Sequence, residues 1–276
     1  MRASVINNSL LCLSMLIISI SGRGQAANQN YTTAYKALVP LTDDLSNKND
    51  KDKVAEVFEY YDGLGRAIQT IMRQASPLGF SVISFFEYDA YGRKSRNYLP
   101  YTSSSNTDGS INTSPVTDQA AFYSGLVGSA DGANAFSLPV FENSELNRIL
   151  KQGSAGAAWQ PSIDNNSMAD HAVKKRSRPN DATEVLLFHY DQATGLVSVK
   201  AGSVFQYYGP YQLMASVTYD EHNNDMIEYT DKAGLTICKK VRVSPTDYAN
   251  TYYVYDDLGK LVVVIPPEGV KALLSN

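Results

Sequence analysis

The sequence predicts a mainly β protein, an array of antiparallel β-hairpins in a curled sheet. Tyrosine is the commonest aromatic residue, with 19 Tyr against 9 Phe and 1 Trp. It suits a half-buried pleated surface because its ring packs against neighbouring side chains while its hydroxyl remains in contact with water. Runs rich in β-branched and aromatic residues recur along the chain, and turns containing Asp and Gly separate them. Glycine there supplies the positive φ that tight hairpin turns require.

The first residues have the layout of a secretory signal peptide. Arg2 gives a weakly positive start, residues 10–20 form a largely apolar run, and Gly24-Gln25-Ala26 is a small-x-small cleavage site. The apolar run is shorter than the roughly 17–25 residues of a transmembrane helix. The alternative is a buried N-terminal helix. We expect residues 1–26 to be removed on export, which leaves an extracellular or cell-surface protein without a transmembrane span.

Charge and cysteine content narrow the function classes. Without Arg2 and Arg23 the 24 basic residues become 22, against 28 acidic ones, so the mature chain has no field to attract nucleic acid. Cys238 is its one cysteine, which excludes an intramolecular disulfide. We interpret Cys238 as a small buried hydrophobe rather than a nucleophile.

Two hairpins are predicted after a polar leader at residues 27–53. This first hairpin pair occupies residues 54–101. Its strands are residues 54–61, 66–73, 82–88 and 93–99, with turns at residues 62–65 and 89–92.

A loop-rich insertion with one or two short helices is predicted at residues 102–181. Residues 102–114 are rich in Ser, Thr, Asn and Gly and predict a mobile surface loop. Residues 117–123 predict a short helix with Thr117 as its N-cap, and residues 144–151 a second, weaker one. The basic cluster at residues 174–178 predicts a solvated loop, with an anionic polymer or a protease as the alternative partner.

Residues 182–276 predict further hairpins. Their strands are residues 185–190, 196–200, 227–229, 235–241, 251–255 and 260–265, with turns at residues 191–195, 230–234 and 256–259. Recurrence every 20–50 residues is typical of an array whose units cannot bury their faces alone. The last strand is almost entirely apolar, so both of its faces should be covered. As an uncharged edge before Pro266-Pro267, it should attract another chain.

The candidate site residues belong to the turns and have a structural role. In each turn the Asp carboxylate can accept main-chain N–H groups, Gly65, Gly92 and Gly259 should have positive φ, and Arg66, Arg93 and Lys260 can pair with a turn Asp. The set comprises Tyr61, Asp62, Gly63, Gly65, Arg66, Tyr88, Asp89, Gly92, Arg93, Tyr255, Asp256 and Gly259.

Catalytic interpretations of these residues are weaker. A glycosidase needs two carboxylates about 5–10 Å apart, whereas each Asp here recurs in a hairpin of its own. Gly63-Leu64-Gly65 precedes a strand and therefore lacks the helix N-terminus of a phosphate loop. His171, His189 and His222 share no metal-ligand spacing. We expect no catalytic, cofactor or metal residue, and hence no enzyme.

The first hairpin carries a family resemblance. Tyr60-Tyr61-Asp62-Gly63-Leu64-Gly65-Arg66, followed by Gln69-Thr70, resembles the opening repeat of RHS (tyrosine–aspartate, YD) repeat proteins of Bacteroidota type, and more specifically the uncharacterised N-terminal domain before their repeat array. Residues 74–77, 87–101, 141–148 and 153–159 extend the likeness, which runs from about residue 35 to 267. Glu145 departs from a common proline of that family.

The resemblance implies a non-enzymatic extracellular scaffold, the N-terminal part of a hollow shell whose remaining repeats would be its partners. Family members continue through many more repeats, whereas this chain stops at Asn276, so we expect a short paralogue or a truncated array. The alternative is a cell-surface module that binds a glycan or a protein through its Tyr-rich face. Exposed, stacked rings would favour that alternative, and buried rings would favour the scaffold.

Overall fold

The computed structural model describes residues 17–18, 29–39 and 50–275. It divides into two compact units, residues 1–137 with 155–157 (unit 1) and residues 138–154 with 158–276 (unit 2). Antiparallel strands dominate both units, and three short helices occur within the described residues. The predicted mainly β class is confirmed.

Unit 1 contains an eight-stranded antiparallel sheet and two helices. The elements are β1 (Ile17–Ile18), β2 (Asn30–Ala37), β3 (Val54–Tyr61), β4 (Ala67–Arg73), β5 (Ser81–Tyr88), β6 (Lys94–Tyr98), β7 (Tyr101–Ser103), α1 (Pro115–Val127), α2 (Ser129–Gly132) and β8 (Phe136–Ser137). The sheet order is β1-β2-β3-β4-β5-β6-β8, and β7 pairs with β5 beyond the end of β6. Alternate inward side chains form the core, which contains Phe58, Tyr60, Ile71, Ile83, Phe85 and Tyr101.

The first hairpin pair forms as predicted. β3 spans the predicted residues, and β4, β5 and β6 agree with prediction to within one residue at each end. Strict alternation of buried and half-buried side chains along β3 explains why this region was predictable. The predicted helix at residues 117–123 is confirmed as α1, but Thr117 is not its N-cap. The helix begins at Pro115, because proline suits the first helical position, and Ser114 is the cap residue.

The polar leader is predicted wrongly for residues 30–37. These residues form β2, which pairs with β3 along its full length. Thr33 and Tyr35 alternate inward and are buried, so a strand pattern exists within the polar composition. The predicted signal peptide lies outside the described residues apart from Ile17 and Ile18, whose backbone forms β1 beside β2.

The polar loop at residues 102–114 is anchored on the sheet and does not stand free as predicted. Tyr60 Oη donates to the carbonyl oxygen of Gly109 at 2.7 Å. The Gln69 side chain makes two bonds with the main chain of Asn112, donating to its carbonyl oxygen (3.1 Å) and accepting from its N–H (2.7 Å). Ser81 Oγ donates to the carbonyl oxygen of Asn106 at 2.6 Å. The loop therefore covers one face of the unit 1 sheet.

Unit 2 contains a second eight-stranded antiparallel sheet, two small two-stranded sheets and a terminal helix. The elements are β9 (Pro139–Phe141), β10 (Ile149–Gln152), β11 (Val173–Pro179), β12 (His189–Asp191), β13 (Leu196–Ser198), β14 (Lys200–Ala201), β15 (Val204–Phe205), β16 (Met214–Tyr219), β17 (Asp225–Thr230), β18 (Thr236–Ser244), β19 (Asp247–Tyr255), β20 (Leu261–Ile265) and α3 (Pro267–Ser275). The large sheet runs β20-β19-β18-β17-β16-β11-β10-β9, and β12 pairs with β13 as β14 does with β15. A 3₁₀ turn spans Ala157–Trp159.

The unit 2 core lies on one face of this sheet. Its buried residues include Val185, Leu186, Val217, Tyr229, Cys238, Tyr252, Ile265 and Val270. The segment predicted as a strand at residues 185–190 is strand only from His189, within the small β12–β13 hairpin. Val185 and Leu186 are nevertheless buried in the core, because their apolar side chains cover the sheet face.

Two predictions for the insertion are wrong. The second helix, at residues 144–151, is instead a turn followed by β10; the N–H of Glu142 donates to the carbonyl oxygen of Arg148 (2.9 Å) and Asn147 has φ 54°. The basic cluster at residues 174–178 is β11, paired on both sides, and not a solvated loop. Its Lys174 is fully buried.

The last strand, β20, ends the unit 2 sheet, as expected of an edge. Ile265 is buried and Val263 packs against the core, but Leu261, Val262 and Val264 are exposed. The expectation that both faces are covered is therefore wrong within the described residues.

Candidate functional site

Hairpin turns in both units have a common hydrogen-bond arrangement, which we call the four-bond turn. In the first, the N–H of Asp62 donates to the carbonyl oxygen of Arg66 (2.9 Å) and the N–H of Gly65 donates to that of Asp62 (3.0 Å). Asp62 Oδ1 accepts from the N–H groups of Leu64 and Arg66, both at 2.9 Å. The Arg66 N–H in particular lowers the pKa of Asp62. This carboxylate closes the turn and is satisfied as an acceptor.

The same four bonds recur at Asp89, Asp231 and Asp256, with distances of 2.8–3.1 Å. The glycine three positions after each Asp has the positive φ of a bulged hairpin turn. The φ values are 76° at Gly65 and Gly92, 81° at Gly234 and 74° at Gly259. The β-ladder shifts register next to each turn.

A further four-bond turn was missed by prediction. Asp220 makes all four bonds, at 2.8–3.0 Å, with His222, Asn223 and Asn224. Asn223 holds the position of the glycine with φ 65°, which its short polar side chain tolerates. The pair Tyr219-Asp220 could have signalled this turn, but the missing glycine concealed it. The turn at Asp191 differs, since Gly195 follows four positions later and donates to the Asp191 carbonyl oxygen (2.8 Å).

The basic residues that follow the turn glycines differ in their surroundings. Arg66 Nε lies 2.7 Å from Asp62 Oδ2, and Arg93 Nε lies 2.7 Å from Asp89 Oδ2, so the predicted pairing is found in the first two hairpins. Both pairs are partly exposed, so water screens them and each contributes little to the free energy of unfolding. Lys260, the equivalent residue of the last hairpin, is exposed.

A tyrosine ties each of two hairpins to the one before it. Tyr88, which precedes Asp89, donates its hydroxyl to the carbonyl oxygen of Ala67 at 2.7 Å. Tyr255, which precedes Asp256, donates to the carbonyl oxygen of Thr236 at 3.0 Å. In both cases the acceptor is the fifth residue after the turn Asp of the preceding hairpin. Tyr61 stands before the first turn and instead donates to Glu59 Oε2 (2.7 Å).

The side chain one position before that acceptor lies against the next turn. The Arg66 guanidinium lies over the Tyr88 ring, 4.4 Å from its centroid, and a Cβ placed on Gly92 would be 3.2 Å from Arg66 Nη1. Leu235 holds the equivalent position in unit 2, where a Cβ on Gly259 would be 3.7 Å from Leu235 Cδ1. Successive hairpins therefore meet through the same four positions in both units.

Two buried polar clusters of unit 2 were not predicted. In the first, Asp170 lies between Lys151 (2.6 Å) and Lys174 (3.1 Å), and both lysines are fully buried. Burial raises the pKa of Asp170, but the hydrogen bonds from Lys151, Ser162 and Lys174 outweigh it and hold that pKa low. Residues 174–178 read Lys-Lys-Arg-Ser-Arg and show no apolar alternation, so no sequence signal identified this strand or Asp170 as the partner of its lysine.

In the second cluster Glu184 lies next to Val185 and Leu186, whose side chains cover the unit 2 sheet, and it anchors this part of the chain to the sheet. Glu184 Oε1 accepts from Arg178 Nη2 and from Tyr229 Oη, both at 2.5 Å. Its main-chain carbonyl oxygen accepts from Lys240 Nζ at 2.7 Å. Cys238 is fully buried beside this cluster, as predicted, and burial raises the pKa of its thiol to about 12. Such a thiol is a packing group rather than a nucleophile.

The histidines come together in part. The rings of His171 and His222 have centroids 6.3 Å apart, and His171 Nδ1 lies 3.2 Å from the carbonyl oxygen of Glu221. Over the described ranges, no group of three or more His, Cys, Asp or Glu side chains is arranged to hold a metal ion. In the part of the chain that the structure describes, no helix combines the length and the apolar character needed to cross a membrane.

A protein family is recognised in the chain by comparison with family models. A family model described as "Domain of unknown function (DUF6443)" matches residues 33–173, slightly more than half of the 276 residues. The match begins within β2 and ends at the first residue of β11, so it contains the first two four-bond turns. No curated protein matches the chain.

Proposed function

The chain belongs to the DUF6443 family, and from this premise we propose that it is a non-enzymatic structural module of the RHS/YD-repeat type. The observation that carries the proposal is the repeated tie between hairpins, from Tyr88 to Ala67 and from Tyr255 to Thr236. In each of these two pairs, the first hairpin provides the acceptor that orients the second. Such a nearest-neighbour interface is what an extendable array requires.

The distribution of the tyrosine rings favours the scaffold over the glycan-binding alternative. Tyr60, Tyr101, Tyr229 and Tyr252 are buried in the cores. Tyr91 and Tyr211 are among the exposed tyrosines, at 80% and 78%, and belong to different units. A glycan platform on the Tyr-rich face would require exposed, stacked rings there. The aromatic content instead serves to fill the sheet faces.

The finer part of the proposal is an exported module at the start of a YD-repeat array. The signal-peptide layout of residues 1–26 supports export, and the succession of YD turns supports the repeat type. In this role the four-bond turns set the hairpin geometry, and the tyrosines determine how one hairpin follows another.

Binding and proteolysis experiments on the purified chain test the proposal. We expect no saturable binding on a glycan array, and a protease-resistant core that Asp89→Ala renders cleavable, because this change removes two of the four turn bonds. Glycan binding that Tyr91→Ala abolishes while the fold is retained would favour the alternative. In the native bacterium, we expect protease added to intact cells to digest the epitope-tagged protein, and its retention in the cytoplasm would contradict export.

A further inference from the structure

Lys174, which is fully buried near the start of β11, meets an asparagine from the turn between β16 and β17. Lys174 Nζ donates to Asn223 Oδ1 at 3.0 Å and lies 3.1 Å from Asp170 Oδ1. Asn223 Nδ2 donates to the carbonyl oxygen of Met168 at 3.0 Å, so the amide presents its oxygen to the lysine. An amino group, a carboxamide and a carboxylate therefore meet at one buried nitrogen atom.

The charges of this cluster do not balance. Lys151 and Lys174 are both fully buried, and among the described residues both of them pair with the one carboxylate of Asp170. Two buried ammonium groups beside one carboxylate leave a positive charge without a counterpart, which is costly away from water. The cluster therefore favours a reaction that releases one positive charge.

An asparagine at this position of the turn also has no explanation in the backbone. Glycine holds the equivalent position in the other four-bond turns, whereas Asn223 adopts φ 65° there. Glycine accepts a positive φ at no steric cost, and asparagine only tolerates it. The contact that distinguishes Asn223 from those glycines is the one between its side chain and Lys174.

We propose that Lys174 and Asn223 form an intramolecular isopeptide bond, with Asp170 as the proton carrier. Asp170 Oδ1 accepts a proton from Lys174 Nζ, and the nitrogen lone pair forms a bond to Asn223 Cγ while the carbonyl electron pair moves onto Oδ1. Asp170 then returns the proton to Nδ2, the bond between Cγ and Nδ2 breaks, and the carbonyl group forms again. The products are a secondary amide and ammonia, and the reaction consumes no oxidant, reductant or co-reactant.

Charge and access both suit this reaction. With Lys174 as an ammonium group at the outset, the leaving nitrogen departs as an ammonium ion, and Lys151 and Asp170 remain as a balanced pair. Asn223 is exposed, so the ion can escape into water. The carbonyl carbon lies one bond beyond the oxygen that Nζ contacts, and a rotation of the exposed amide brings it to the ~3–3.5 Å of a near-attack geometry.

The inference goes beyond the proposed function and does not depend on it. The bond would join β11 covalently to the turn between β16 and β17. Each chain reacts once, so the module remains non-enzymatic.

Intact-mass spectrometry of the full chain, unfolded in acid, tests the bond. We expect the wild type to be lighter than its sequence requires by one molecule of ammonia, and Lys174→Arg and Asn223→Gly to have their full masses. Asn223→Gly is the critical variant, because it introduces the residue of the other four-bond turns and should fold. Lys175→Arg, at the exposed neighbouring position, is the control and should still lose ammonia. Circular dichroism establishes that each variant is folded.

Tryptic digestion locates the bond. Trypsin does not cleave after a lysine whose Nζ is part of an amide, so we expect a branched peptide that joins residues 152–175 to residues 201–232. Asp170→Asn should yield the separate peptides, because its side chain cannot carry the proton. A full mass for the wild type, the same loss of ammonia in Asn223→Gly, or a loss without the branched peptide, as a succinimide would give, would each overturn the inference.

Discussion

The hydroxyl of Tyr88 reaches from one hairpin to the preceding one and donates a 2.7 Å hydrogen bond to the carbonyl oxygen of Ala67. In unit 2 the pair Tyr255 and Thr236 repeats this relationship at 3.0 Å. The main-chain ladder between the two hairpins ends at the pair of Gln69 with Phe85 and, in unit 2, at the pair of Cys238 with Tyr252, so the tyrosine side chain extends the connection of neighbouring hairpins beyond the end of the ladder. The tyrosine hydroxyl is therefore part of the sheet.

Removing either hydroxyl should destabilise the unit that contains it. We expect Tyr88→Phe and Tyr255→Phe each to lower the free energy of unfolding by about 1 kcal/mol, because the carbonyl acceptor loses its partner while the ring remains. Urea unfolding followed by circular dichroism measures the change. Tyr91→Phe is the control, since that side chain is 80% exposed and should cost close to nothing. Equal losses in all three variants would refute the tie.

Alanine substitutions separate backbone strain from steric overlap. At Gly109, which has φ 79°, a Cβ would lie 2.1 Å from the Phe58 ring. We expect Gly109→Ala to cost more than ~2 kcal/mol, because both effects act there. Gly65→Ala meets open space at φ 76° and should cost ~1 kcal/mol.

Gly63→Ala completes this series as its control. Gly63 has open space around its Cβ position and no positive φ, so the substitution should be nearly neutral. Thermal unfolding of the three variants gives the order. A melting temperature for Gly109→Ala equal to that of Gly63→Ala would show that residues 102–114 do not pack on the sheet.

Asp170→Ala should be one of the most destabilising single changes in unit 2. It leaves Lys151 and Lys174, both fully buried, without their carboxylate, and the loss should be about 3–5 kcal/mol. Glu268→Ala breaks an exposed pair with Lys271 and should leave the free energy of unfolding nearly unchanged. Chemical denaturation compares the two, and similar midpoints would show that the buried cluster is not a structural centre.

Acid should weaken unit 2 through Glu184. Burial raises the pKa of Glu184, but hydrogen bonds from Arg178, Tyr229 and the Asp181 N–H outweigh burial and lower the pKa to about 2. Because the folded pKa lies below the unfolded value of ~4.3, this stabilisation is present above that value and is lost as the pH falls toward 2. With a discount for the partly exposed Arg178, it amounts to about 2 kcal/mol.

Glu184→Gln should remove this pH-dependent contribution. The difference in unfolding free energy between wild type and variant should be large at pH 6 and should shrink steadily between pH 4.5 and pH 2. Urea titrations at each pH measure it. A difference that stays constant over that interval would show that the Glu184 carboxylate is not held ionised by Arg178.

The fold was predictable where its signals are local. The alternation along β3 and the Asp and Gly of the following turn lie within a dozen residues, and each specifies its own geometry. The burial of Lys174 was not predictable, because its partners Asp170 and Asn223 depend on how β11 pairs with β16. The packing of residues 102–114 on the sheet was not predictable either, because their polar composition is equally typical of a loop that is surrounded by water. The tyrosine hydrogen bonds between hairpins are an intermediate case. The tyrosines can be identified in the sequence, but their acceptors cannot, because these are main-chain carbonyl oxygens.

The turn at Asp220 changes how repeats of this kind should be counted. Its four hydrogen bonds match those at Asp62 although asparagine replaces the glycine. The aspartate is therefore the constant chemical element of these turns, and the left-handed position accepts either residue. A motif search that demands glycine counts one hairpin too few in this chain. In related sequences, a search that demands glycine would divide one continuous array of hairpins into two wherever another residue holds the glycine position.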